Sequence, residues 1–147
     1  MRRLIFLLPL FLFAQQSNVA VLQFDAENIS ESEVRILTNR LNTELFNTGK
    51  FTVIERSQME EVLKEQGLQQ SGCVSSECAV EVGKLLGVDA MITGSMGRIG
   101  SLYTISARMI DVQTGEVLKN SSRDVSGSID LILRNTMKVI AAELSGI

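Results

Sequence analysis

A mixed α/β fold, with elements in the order βαβααβββα, is predicted by three observations. Short apolar runs alternate with stretches of helical period over the first two thirds of the chain, the signature of an α/β layer architecture. The last third instead alternates apolar and polar residues around a tight turn and closes on one more helical stretch. Capping residues and glycines fall at nearly every junction between these segments. A strand–helix–strand opening calls for a right-handed crossover and parallel pairing, and a hairpin calls for antiparallel pairing. The sheet is therefore expected to be mixed parallel/antiparallel and covered by helices.

Val19 to Phe24 is nearly continuous apolar sequence, as in a strand buried on both faces, and Asp25 to Asn28 reads as a polar loop at its end. Ser30 and Glu33 form a capping box. Val34, Leu37, Leu41 and Leu45 then make one apolar stripe of a long helix, which Thr48-Gly49 ends. Phe51 to Ile54 is a second strand. Ser57 and Glu60 match a second capping box, with Met59, Val62 and Leu63 inward and Gly67 as the stop. Leu68 to Gly72 reads as polar linker. Ser75 and Ser76 supply oxygens for the next helix start, Glu77 and Glu81 suit its positive end, and Gly87 takes the left-handed position after it. Asp89 to Gly94 is a short third strand, and Gly94, Gly97 and Gly100 punctuate a bend and turn. Tyr103, Ile105, Ala107 and Met109 alternate with polar residues. Asp111 to Gly115 is a tight turn, and the more polar return strand from Glu116 to about Val125 belongs near a sheet edge. Ser128 opens the last helix, with Ile129, Ile132, Leu133, Thr136, Met137, Ile140 and Leu144 along one side.

The 147 residues suffice for one domain with a real core, and 45% apolar with 21% charged residues is ordinary for a globular chain. A net charge of −3 gives no basic field for nucleic acid. The chain has no histidine, so the commonest general base and the commonest metal ligand are both missing. Met1-Arg-Arg, the apolar run from Leu4 to Phe13 and the small Ala14 before polar Gln15 make the pattern of a cleaved secretory signal; the run is too short to span a bilayer. The expected division is residues 1–14 as signal peptide and 15–147 as the mature α/β domain, exported to a bacterial periplasm. No cysteine stands at the cleavage site, so lipid attachment is not signalled.

Cys73 and Cys78 are the only cysteines. In an exported chain a local disulfide is the simplest reading, pinning the linker to the helix start. The alternative is a redox pair, with Cys78 in the first turn of a helix, where the dipole lowers a thiol pKa; the spacing is CxxxxC and not CxxC. Two thiolates without histidine leave a zinc tetrahedron half filled. Gly94-Ser-Met-Gly-Arg-Ile-Gly100 lacks the Gly-Lys-Ser/Thr of a phosphate loop and precedes a strand instead of a helix. Asp25, Glu27, Asp89, Asp111 and Glu116 lie at strand ends and turns, where such residues bond locally. No catalytic, cofactor-binding or metal site is assigned, and the chain is not expected to be an enzyme.

The segments VAVLQFD, LTNRLNTELFNTGKFTVIERSQMEEVLKEQGLQQSG, ECAVEVGKLLGVDAMITGSMGRIG and YTISARMIDVQTGEV carry a resemblance. Together they are similar to the curli production assembly and transport (CsgG-type) family over about residues 18–144. That resemblance implies a fold shared with the activators of penicillin-binding proteins and with the amino-terminal, anticodon-binding-domain-like part of TolB. It also implies an envelope setting and a role in assembly with other envelope proteins. The expected function is a non-catalytic periplasmic binding or assembly module, peripheral to the outer membrane. Its expected partners are envelope proteins or a second copy meeting an edge strand, with no nucleic acid and no integral membrane insertion. The competing readings are a thiol–disulfide protein using Cys73 and Cys78, and a pore subunit.

Overall fold

The computed structural model describes residues 16–67, 73 and 75–147. The expected signal peptide and the Leu68–Gly72 linker lie outside the described residues. The elements are β1 (Ser17–Val21), β2 (Asp25–Glu27), α1 (Glu31–Asn47), β3 (Phe51–Val53), α2 (Arg56–Glu65), α3 (Ser76–Leu86), β4 (Ala90–Ile99), β5 (Leu102–Asp111) and β6 (Val117–Ser126). They end in α4 (Ile129–Leu131), a π-helical stretch (Ile132–Thr136) and α5 (Met137–Leu144). One mixed sheet runs β3-β1-β4-β5-β6, with β2 pairing β4 beyond the end of β1. Pairing is parallel among β1, β2, β3 and β4 and antiparallel from β4 through β6.

The period of each strand sends its side chains to two helical layers. Val19, Val21, Ile92, Met96, Ile105 and Met109 face α1 and α5, where they meet Leu37, Leu41, Met137 and Ile140. Ala20, Leu22, Met91 and Ile110 face α2 and α3, where they meet Met59, Leu63, Ala79 and Val82. The two-sided burial expected for Val19–Phe24 thus divides residue by residue between two cores.

The helix ends follow from local chemistry. Ser30 and Glu33 satisfy each other's backbone donors at the start of α1. Ser75 accepts from the Cys78 N–H at the start of α3, and Gly87 takes φ 68° at its end. Elsewhere the structure corrects the sequence reading. Asp25–Glu27 is a strand, since the chain leaves β1 still extended and finds open backbone at Ser95–Gly97 of β4. Gly94 causes no break: β4 runs unbroken from Ala90 to Ile99. The second capping box does not form. Helix α2 starts at Arg56 with Glu55 as its N-cap and no side-chain cap bond. The Arg56 guanidinium instead donates to Gln23, Asn39 and Glu60, tying the β1–β2 junction, α1 and α2 together. Ser128 makes no side-chain cap bond either, and the helix after it is interrupted by the π-helical stretch.

Candidate protein-binding surface

In open α/β sheets, ligands bind outside the carboxyl ends of the strands, where successive crossovers diverge. Here that point lies between β1 and β4. The chain itself occupies it: the Leu22 N–H donates to Ile92 O at 2.9 Å, Phe24 is buried, and β2 follows along β4. The place where such a fold would hold a small molecule is therefore filled by residues 22–27.

The carboxylates singled out from sequence do not converge. Asp89 accepts from the Asn18 N–H at 2.8 Å, joining β1 to the start of β4. Asp111 Oδ1 accepts from the Gln113 and Thr114 N–H groups and builds the turn that Gly115 completes at φ 76°. Asp25 and Glu27 stand on β2, beside Ser95 and Gly97. Glu116 lies just before β6, where its carbonyl accepts from the Asp111 N–H. Among the described residues no three of these, or of any other acidic or cysteine residues, could hold one metal ion.

Cys73 and Cys78 are disulfide-bonded, with Cα atoms 5.5 Å apart. Cys73 is buried against the α2–α3 layer, and its carbonyl accepts from the buried Thr93 Oγ1 at 3.2 Å. The pair therefore fastens the start of α3 to the middle of β4. The glycines of β4 serve packing. A Cβ at Gly94 would stand 2.0 Å from Ser106 O, and one at Gly97 would stand 2.9 Å from Thr104 Oγ1.

What is left open is the last strand. β6 is ten residues long, pairs only with β5 among the described residues and forms one edge of the sheet they make. Its helix-facing side is pinned to α5, where Glu143 accepts from Ser121 and pairs with Arg123. At its beginning a register shift against Met109/Ile110 leaves Leu118 as an extra residue, and Val117 and Leu118 are 48% and 47% exposed. Lys119 and Arg123 supply the charge that edges commonly carry. The polarity of residues 116–125 was the sequence signal for this edge. The Glu143 clamp had none, because it joins residues far apart in sequence, Ser121 and Arg123 to Glu143.

The layout defines a class: a mixed-sheet α/β domain with a filled switch-point crevice, helices on both faces and one long free strand edge. The chain belongs to the family described as curli production assembly/transport component CsgG, whose sequence pattern matches residues 8–101. Among solved structures it is similar to the LpoB C-terminal domain from Salmonella enterica, at 20% identity and a TM-score of 0.64 over 76% of this chain and 83% of that one. TolB from Acinetobacter baumannii is 18% identical with a TM-score of 0.59; the match covers 90% of this chain and 29% of that larger one. The PelC dodecamer from Paraburkholderia phytofirmans is 15% identical with a TM-score of 0.59, over 90% and 88% of the two chains. These likenesses show the shared fold. No curated protein sequence matches the chain.

Proposed function

We propose that the chain is a non-catalytic binding and assembly module of bacterial cell-envelope complexes, acting in the periplasm and peripheral to the outer membrane. Its partner, an envelope protein or a second copy, adds a strand along β6. The observation that carries this reading is the ten-residue edge of β6, unpaired among the described residues, which offers main-chain donors and acceptors to an extended segment. The family description and the assembly of the similar PelC protein into a dodecamer support an assembly role. The filled crevice between β1 and β4 supports a role without a small-molecule substrate.

The disulfide belongs to this reading as a structural tie, with Cys73 buried and its carbonyl engaged by Thr93. No described helix is long and apolar enough to cross a membrane. The residues that pore hairpins would draw on are already used in the sheet, since β4 and β5 are each paired on both sides.

The test places proline singly at Lys119 and at Asn120. Successive N–H groups along a strand point to opposite sides, so one of the two variants removes an outward donor and leaves the β5 ladder intact. We expect that variant to fold and to lose the crosslinked envelope complexes formed by the parent in intact cells. Two folded variants that both retain those complexes would reject the β6 edge. Ion conductance by the purified protein in lipid bilayers would reject the wider claim of a binding module.

A further inference from the structure

The amino end of α1 and the beginning of the last helix leave between them a groove of about 190 Å³, open to solvent and lined by Glu33, Ile36, Leu37, Ile129, Asp130 and Leu133. Its floor is apolar, and Ile36 is 54% exposed there. Leu133 belongs to the π-helical stretch, a form that recurs at functional sites. The rim is acidic. Neither Glu33 nor Asp130 forms an ion pair among the described residues. Glu33 spends Oε2 on the Ser30 cap.

The tip of the β4–β5 hairpin has the opposite character. Ile99 is 72% exposed, the most exposed large apolar side chain among the described residues. Arg98 beside it is held in place by a 2.9 Å bond from Nε to Gly100 O and by the Tyr103 ring, 5.4 Å below the guanidinium, and has no carboxylate partner among the described residues. The tip is convex, basic and apolar; the groove is concave, acidic and apolar. Both lie at the same end of the sheet, because β2 and β6 run parallel to β4 and lead directly into α1 and α4.

We propose that the groove is the docking site for the Arg98–Ile99 hairpin tip of a second copy of this chain. Ile99 fills the apolar floor between Ile36 and Leu133, and Arg98 meets Asp130 or Glu33 at the rim. Because tip and groove share one end of the molecule, a reciprocal twofold exchange fills both grooves and closes as a dimer. An acidic rim repels an anionic lipid surface, and an exposed basic and apolar anchor of complementary charge is already present on the chain. The contact draws on no residue of β6, so it is tested separately from the strand-addition reading.

The test is a concentration series of the purified full chain by sedimentation velocity. The parent is expected to dimerise. Ile99→Asp, at an exposed position beside the turn, is expected to keep the parent's circular dichroism and to raise the dissociation midpoint by roughly thirtyfold, the scale of one lost apolar anchor. Arg98→Glu should weaken the dimer, and Arg98→Glu combined with Asp130→Arg should restore it to within about threefold. A parent that stays monomeric, or a dimer that Ile99→Asp does not move, overturns the proposal. So does a photo-crosslinker at Ile36 that captures only other proteins in intact cells.

Discussion

The ring of Phe24 lies against the backbone of Gly94, so that a Cβ at Gly94 would stand 2.7 Å from Phe24 Cε2. This contact is what allows the chain to continue past β1 and fill the crevice beside β4. Gly94→Ala would also set its methyl 2.0 Å from Ser106 O, a backbone atom fixed in the β4–β5 ladder. Neither neighbour can yield by a rotamer change alone. We expect Gly94→Ala to cost about 3 kcal/mol or more, at the upper end of overpacking effects. Phe24→Ala, which empties the same slot, should cost about 3–5 kcal/mol. Urea unfolding followed by circular dichroism measures both; a Gly94→Ala protein as stable as the parent would contradict the packing described.

Cys73 and Cys78 close a very short loop, for which the chain-entropy estimate is about 2 kcal/mol. Replacing both by serine is expected to lower stability by about that amount and to leave assembly in cells intact. Thiol titration of the unreduced, denatured protein should find no free thiol. A double variant that folds as stably as the parent but loses all assembly would point to the redox reading.

Glu143 holds β6 from the helix side through Ser121 and Arg123. Ser121 is buried, so Glu143→Ala strands its hydroxyl, which should cost about 1–2 kcal/mol. The half-exposed ion pair to Arg123 adds little. The loss should be local: amide exchange is expected to quicken along β6 and to leave β1 and β4 unchanged. Uniform acceleration through the sheet would show that β6 is not a separately tethered edge.

The features that could be read from sequence are those whose cause is local. Ser30 and Glu33 are three residues apart and satisfy each other, and Gly87 alone decides how α3 ends. The polar return strand announced an edge because edges tolerate charge on either face. β2 was missed because Asp25-Ala-Glu27 has no apolar pattern of its own; its partners, Ser95–Gly97, lie 70 residues on. The start of α2 has no local signal because Arg56 answers to Gln23 in the β1–β2 junction and to Asn39 in α1. The groove at Ile36 and Leu133 needed the first and last helices side by side, and the π-helical turn that contributes Leu133 leaves no mark in a stripe read at 3.6 residues per turn.

Gly83 sits where α3 meets the sheet, and two effects of opposite sign compete there. Alanine would favour the helix by about 0.8–1 kcal/mol through backbone entropy. Its Cβ, however, would lie 2.5 Å from Val112 Cγ2 and 2.8 Å from Met91 Cγ. Met91 is fully buried and is met at Cγ, near the start of its side chain, and Val112 is β-branched and buried, with few rotamers to choose from. The overpacking cost, about 1–3 kcal/mol, should exceed the helical gain, so Gly83→Ala is expected to destabilise by about 1–2 kcal/mol. Val112→Ala removes the offending methyls, and alanine at position 83 then fills the space they leave. The double variant should therefore be more stable than the sum of the two single changes predicts, with a coupling of about 1 kcal/mol or more in a double-mutant cycle. Strict additivity would mean that α3 does not approach the sheet through Gly83 as closely as these distances require.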